Sequence, residues 1–588
     1  MAGVGKPLDL GTGVVCASFA PGGAWLSIGT VHPAHGFVEL NALPRLDESE
    51  RGDPVATRRH RAAMTDERFA FLTISPAAVD GRPRPNGVTW AGRAAAGDAS
   101  ASADGHTVAQ RWRFTRRGAR VRFAGTLDRP ALAEITELEP PPPTGARTRL
   151  VADGPRLLVL AEALPAAAVI RASSGSWELN TPGTARLVVP GHDLELRIAV
   201  APTVRPPDLE PVAPAAEDGI PPTPGEAPTP AMVARAVAYV RGCTALATGD
   251  AERVILTDHR ILPLSWTRDA YYQALLLLST GDVADRERVA DHLRWLWTRC
   301  ERPDGRWMRS HHANGRRKDL AFQADQQLYP LIELADYWRA RRELPRGIEW
   351  GELVPVAWAA ALHAVDGSCD LIASTENAAD DPAAAPFMAA AQIVLWYAAR
   401  RLAEVAGEMR LGLEQADLQA VAVRVRDAFE RRLVSDGRWT YATDGAGKNV
   451  SYHDANDLPV ALAPLWGFCA ADDPAWLATM AFGFSNLNPG YARGPLAGLG
   501  SAHTPGAWSL GDVQAWARAR ARGDVTAAST ALERLGAIAF GDGMLPEAYS
   551  TQGPLSRIRH WFAWPGAAIA AFLLLDRAGL LETRLAAT

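Results

Sequence analysis

The sequence predicts a multidomain α and β chain: an N-terminal antiparallel β-sandwich (1–201), then a Pro-rich linker (202–230) and an (α/α)6 toroid (231–588). Three features carry this expectation. Short apolar runs broken by Gly, Pro and Asp-Gly fill the first 200 residues, ten prolines crowd residues 202–230, and a helical period sets in at Ala231. Strands repeat every two residues and helices every 3.6, so the change of pattern marks a change of architecture.

In the first part, residues 147–151, 156–160, 167–171, 176–180, 185–189 and 194–200 read as strands, and 111–114 with 120–123 as a further hairpin pair. No helical stretch separates them, which favours a sandwich. Proline lacks the amide donor and fixes φ, so the linker cannot be helical; it reads as extended chain, free to wrap over the next domain. Helical segments then begin near residues 231, 267, 284, 322, 352, 386, 413, 457, 473, 507, 525 and 559. Twelve helices fit six hairpins closed into a ring, with the working loops gathered at one end.

Composition narrows the class. Hydrophobic residues make up 48% and charged residues 22% of 588, with a net charge of −5 and a pI near 6.3. There is no basic footprint for nucleic acid and no cationic face for a membrane. The five cysteines are widely spaced and lack a CxxC pair, so they read as reduced, buried thiols. The N-terminus leads into no signal-like apolar segment, and 567–575 is too short to span a bilayer. A cytoplasmic protein is expected; oligomeric state is left open.

Two acidic stretches about 170 residues apart carry the chemistry: Glu376-Asn-Ala-Ala-Asp380-Asp381-Pro and Pro546-Glu547-Ala-Tyr549. Carboxylates on separate loops of one helical domain suit glycosidic hydrolysis, in which one acid protonates the leaving oxygen and one carboxylate activates water or attacks the sugar. Other loops mix acids, amides and aromatics. Trp266, Arg268 and Asp269 open one helix, Asp325 and Gln326 precede another, and Asp454, Asn456, Asn488, His503, Trp561 and Trp564 follow. Flat rings cover apolar sugar faces, polar groups bond hydroxyls, and 19 Trp stand beside only 10 Tyr.

Plainer readings exist for each. Arg268-Asp269 suits a helix start, the His453–Asp457 stretch suits a capping loop, and a Trp pair spaced i, i+3 suits a core. His311-His312 lies beside Arg316-Arg317-Lys318 and reads as a solvated loop, so no metal or cofactor is expected.

Collinear stretches resemble glycoside hydrolase family 125, whose founding activity is exo-α-1,6-mannosidase, from about residue 256 to 575. They are LSWTRDAYYQALLLL, FQADQQLYPLIELADYW, ENAADDPAAAPF, YHDANDLPVALAPLWGF, NLNPGYARGPLAGLGSAHTPGAWSL and GMLPEAYSTQGPLSRIRHWFAWPGA. The resemblance implies inverting, metal-independent hydrolysis of an oligosaccharide or small glycoside, α-mannoside first. Asp380 or Asp381 would be the acid and Glu547 the base, roughly 6.5–9.5 Å apart. Where the family has Pro-Ser before the Asp pair this chain has Ala378-Ala379, and where it has His-Glu-Ser-Phe this chain has Pro546-Glu547-Ala548-Tyr549. Two alternatives stand beside it: a glucoamylase-like α-glucosidase on the same toroid, and a carbohydrate-binding or scaffold protein without turnover.

Overall fold

A computed structural model describes residues 6–44, 46, 50, 53–77, 79–84, 87–91, 98–130, 148–162, 164–180, 183–214, 229–248, 252–553, 555 and 557–581. The N-terminal region holds two large antiparallel sheets. One runs Leu8–Gly11, Cys16–Phe19, Trp25–His32, Leu72–Ser75, Arg120–Ala124, Thr184–Val188, Trp177–Leu179, with Gly36–Asn41 and Thr126–Asp128 alongside. The other runs Thr148–Asp153, Arg156–Ala161, Ala167–Ala172, Asp193–Ala201, Thr107–Arg113, Asp98–Asp104, Gly87–Ala91, Val79–Arg84. Both feed one apolar core that includes Phe19, Trp25, Phe71, Trp90, Trp112 and Phe123. The buried Trp25 indole donates to Gln110 Oε1 at 2.6 Å, joining the two sheets by a polar bond inside the core.

The expected 111–114 and 120–123 hairpin does not form. Thr107–Arg113 pairs with Asp193–Ala201 in one sheet, and Arg120–Ala124 pairs with Thr184–Val188 in the other. Phe114 and Ala119 are both buried in the shared core, so the turn between them crosses from sheet to sheet. The described part of the linker lies back on its own β region. Arg111 donates to Val212 O, and Ser102 Oγ to Ala213 O at 2.5 Å.

Beyond residue 228 the structure is helical, and the helices start close to where the pattern changes place them: Thr229–Cys243, Thr267–Ser279, Val283–Thr298, Tyr329–Arg341, Trp350–Leu362, Ala389–Met409, Gln415–Arg432, Leu458–Leu462, Pro474–Gly483, Ser509–Ala521, Val525–Ile538 and Ala563–Arg577. Two starts slip. The helix expected near 322 begins at Tyr329, because 325–327 form a 3-10 turn, and the one near 559 begins at Ala563, because Arg557–Trp561 is a strand. Both slips fall on segments that carry candidate site residues. Ala389–Met409 packs on Gln415–Arg432 and Ser509–Ala521 on Val525–Ile538, and Ala563–Arg577 lies against Thr229–Cys243 and Thr267–Ser279, bringing the last helix to the first two. Trp295, Trp297, Trp307, Trp466, Trp476, Trp516 and Trp564 are fully buried, so much of the tryptophan excess is core rather than sugar platform.

The two regions meet at close range. A Cβ on Gly11 would stand 2.8 Å from Gly242 Cα, so the first strand and the end of the first long helix touch backbone to backbone. Leu246 N donates to Gly13 O at 2.6 Å, and the buried Arg260 guanidinium reaches Glu39 at 3.3 Å and Met64 O at 2.9 Å.

Inside the helical region, the fully buried Arg401 pairs with Asp336 and Glu404, and Tyr271 Oη donates to Asp336 at 3.1 Å. Asp336→Ala leaves that guanidinium short of a counter-charge and is expected to cost about 3–5 kcal/mol. Tryptophan-monitored denaturation checks this; a loss below about 1 kcal/mol would show the pair to be dispensable.

Candidate active site

The acid-bearing loop is shaped by its own backbone. Asn377 Oδ1 accepts from Ala379 N at 2.9 Å and Asp381 N at 3.0 Å, and Asn377 N donates to Asp381 O at 2.8 Å. Glu376 and Pro382 form a bridge across its neck. This tight turn leaves Asp380 at φ 64°, a left-handed conformation that Asp tolerates better than most residues. Asp380 and Asp381 then face different partners.

Asp380 joins Trp266, Gln323 and Arg268. Gln323 Nε2 donates to its Oδ1 at 2.6 Å, Trp266 Nε1 to its Oδ2 at 3.1 Å, and Arg268 lies 3.8 Å away. Arg268 is buried at the start of Thr267–Ser279, donates to Gln323 and Asp325 at 2.9 Å each, stands 3.9 Å from Asp269, and faces the Trp564 ring at 5.0 Å. Asp269 accepts from Thr257 Oγ1 at 2.7 Å, and burial pushes its carboxyl up to about 6 against the pull of Arg268. Glu376 accepts from both Arg309 at 3.1 Å and Gln323 at 3.2 Å; burial raises its pKa while Arg309 lowers it.

Asp381 faces another way. His503 Nδ1 lies 3.0 Å from its Oδ1. His503 sits in the loop between Gly498–Leu499 and Ala507–Trp508, a hairpin closed by the Gly500–Ala507 bridge. Ala507–Trp508 in turn pairs with Pro546–Tyr549, the strand of Glu547, which pairs with Arg557–Trp561. Glu547 is buried, with Oε2 3.3 Å from His560 Nδ1. One side-chain contact and one strand pairing therefore connect the two acidic stretches.

Several other candidates are committed to the scaffold. Asp454 takes bonds from Asn456 N and Nδ2, Tyr452 Oη and Ser501 Oγ at 2.8–2.9 Å. Asn488 bridges His453 N and O, Gly483 O and Gly490 N at 2.9–3.1 Å. Gln326 holds Thr267 and Arg268 N through its oxygen and Gln323 through its amide. These amides and the Asp454 carboxylate brace loops. Trp561 and Trp564 are each 2% exposed, so neither presents an open ring face, whereas the side chains of Asp380, Asp381 and His503 are 27%, 34% and 25% exposed.

His311-His312 is not a solvated loop. It pairs as a strand with Leu264–Ser265 directly before Trp266, and burial pushes both imidazoles down to about 4. Gln323, Arg309 and Asp457 are the additions that folding makes. Burial holds the Asp457 carboxyl well above its ordinary range, with Asp454 and Asp325 adding to the shift and Arg268 opposing it. Sequence offered the QADQQ and DAND runs but no sign that they converge. Beside the site, a cavity of about 570 Å³ opens between Tyr491–Arg493, Pro505-Gly506 and Ser550–Gln552.

Residues 359–574 match the family model of metal-independent alpha-mannosidase (GH125), so the chain carries a GH125-like segment. That span takes in the acid loop and the Glu547 strand but starts after the Trp266–Asp269 and Gln323–Pro330 motifs. A Streptococcus pneumoniae metal-independent alpha mannosidase, in a non-productive complex with alpha-1,6-mannobiose, superposes with TM-score 0.50 at 19% identity, covering 59% of this chain and 93% of that one. A bacterial glucoamylase complexed with acarbose superposes with TM-score 0.61 at 10% identity, covering 99% and 96%. At such identities the likeness is one of fold. No curated protein sequence matches the chain. Together the family segment and these folds support a glycoside hydrolase.

The raised carboxyl of Asp269 predicts a pH dependence. Its folded pKa of about 6 exceeds the ordinary carboxyl value of 3.8, so the folded state binds the proton more tightly. That contribution to stability is present at acid pH and fades as pH rises from about 4 to about 6. In Asp269→Asn the decline across this window should shrink by up to about 3 kcal/mol. Denaturation at stepped pH reads it, and an unchanged slope would refute the assignment.

Proposed function

We propose that the protein is an exo-acting, inverting glycoside hydrolase of α-linked glycosides, with α-mannosides favoured. The two regions are read as a β-sandwich seated on an (α/α)6 toroid. The observation that carries the reading is the link between the acidic stretches: the Asp381 loop touches His503, and the His503 hairpin pairs with the strand of Glu547. The GH125-like segment covers both carboxylate loops, and its family description supplies the α-mannoside and the absence of a metal requirement.

In this reading Glu547 takes a proton from water as that water attacks the anomeric carbon. One member of the Asp380/Asp381 pair gives a proton to the departing oxygen, and the product anomer is inverted. Arg268, Asp269, Asp325 and Glu376 offer hydrogen-bonding atoms to the hydroxyls of the reacting sugar, and the Trp266 edge accompanies them.

A second reading keeps the reaction and changes the sugar. The bacterial glucoamylase fold matches the whole chain, including the β region, and so favours testing α-glucosides beside α-mannosides. A panel of aryl α-glycosides ranks the two, and NMR of the first-formed product reports the anomer; a retained anomer would sink the inverting mechanism.

Glu547→Gln is expected to lower kcat/KM by about 10²–10⁴-fold. Of Asp380→Asn and Asp381→Asn, the variant lacking the acid should lose a similar factor on alkyl glycosides yet keep most activity on dinitrophenyl glycosides, whose leaving group needs no proton. If both variants hydrolyse alkyl glycosides at the parent rate, the acid lies elsewhere.

A further inference from the structure

The strand that carries Glu547 is gripped at its entry and through its partner strand by the β region. Lys6, two residues before Leu8–Gly11, is buried, and its ammonium lies 2.6 Å from Asp9 Oδ2 and 2.6 Å from Asp542 Oδ2. It also donates to Pro7 O at 2.9 Å and stands 4.5 Å from the Trp561 ring centroid. Asp542 lies just before the Glu547 strand and Trp561 in the strand paired with it. Asp542 accepts from Met544 N at 3.2 Å in the turn closed by Gly543 N to Phe540 O, and that turn leads directly into Pro546–Tyr549. Trp561 sits opposite Pro546 in the partner strand, one residue from His560, which contacts Glu547.

The register shifts between Pro546 and Ala548, so contacts rather than simple alternation place the groups: Pro546 sits opposite Trp561, and Glu547 meets His560 at 3.3 Å. Lys6 thus bears on the small sheet that holds the candidate base, through the Trp561 ring and through Asp542 in the turn before Pro546. The contact is expensive to build by accident: a buried ammonium is tolerated only when carboxylates and acceptors surround it. Asp542 is further secured by Arg235 at 2.9 Å, and Asp9 by Ser18 at 2.6 Å, so the grip is anchored in both regions.

We propose that Lys6 is a positioning residue for the base step, through which the β region sets the location of Glu547. The proposal rests on Glu547 being the base. It gives the N-terminal region a part in turnover without any of its residues touching substrate. An error of about 1 Å at a reacting group can cost about 10²-fold in rate, so a loosened hairpin should register in kcat before it registers in binding.

The test uses the full chain and an activated aryl glycoside. Lys6→Met keeps the aliphatic stem and removes the charge. The expected result is a fall in kcat of about ten- to a hundred-fold with KM within about two-fold, in protein that still unfolds cooperatively. Combining it with Glu547→Gln should add little to the loss from Glu547→Gln alone, because both act on one step. An unchanged kcat in folded Lys6→Met overturns the proposal, as does a double variant in which the two losses simply multiply. If Lys6→Met does not fold, Trp561→Phe decides: a kcat loss at constant KM supports the grip, and an unchanged kcat overturns it. Full activity in Glu547→Gln would instead overturn the reading of the base, and this proposal with it.

Discussion

A guanidinium withdrawn from water costs several kcal/mol unless charges and acceptors meet it on its donor directions. Arg268 is met by Gln323 and Asp325 at hydrogen-bond distance, with Asp269, Asp380 and the Trp564 ring around it. Those groups come from the start of one helix, the irregular segment before another, the 376–382 loop and the last helix. None of these segments is sequential with the next, and each would be underdetermined by its own turn chemistry. The buried charge gives them a common point to satisfy, and the remaining loops are arranged around that point.

The same logic separates residues that can meet a ligand from residues that hold those in place. Asp454 and Asn488 have their side-chain bonding capacity taken up by the loops they join. Asp380 and Asp381 are adjacent in sequence yet answer to different neighbours, because the left-handed turn at Asp380 swings the chain between them. One carboxylate is drawn towards Arg268 and Gln323, the other towards His503.

Much of the architecture was legible in the residues. The helices announce themselves through apolar spacing, and Asp282, Asp473 and Asp524 cap theirs as short acidic side chains do. What failed was local reasoning where tertiary contacts decide. The 111–114 and 120–123 runs look like hairpin arms, but the burial of Phe114 and Ala119 sends them to different sheets. His311 and His312 sit beside three cations in sequence and nevertheless pair as a strand with Leu264–Ser265, with His311 buried. Tryptophans that looked like platforms fill the helical core instead. For the candidate site, the acidic loops and the Trp-x-Arg-Asp start were visible as composition. The bond from Gln323 to Asp380 and the electrostatic influence of Asp325 and Arg268 on Asp457 depend on a fold, and no short motif encodes them.

The contact of Gly11 with Gly242 has a consequence for how such a chain can change over time. A Cβ at Gly11 would stand 2.8 Å from Gly242 Cα and one at Gly242 3.2 Å from Gly11 Cα, so the two positions constrain one another across more than two hundred residues. A gene fusion that exchanged only the β region, or only the helical one, would inherit half of that fit. Any incoming bulkier residue would pry the regions apart at the seam where Arg260 and the 244–246 strand also cross. Recombination between related chains should therefore succeed when both glycines travel together, and the two regions are better regarded as one heritable module than as parts assembled from a kit.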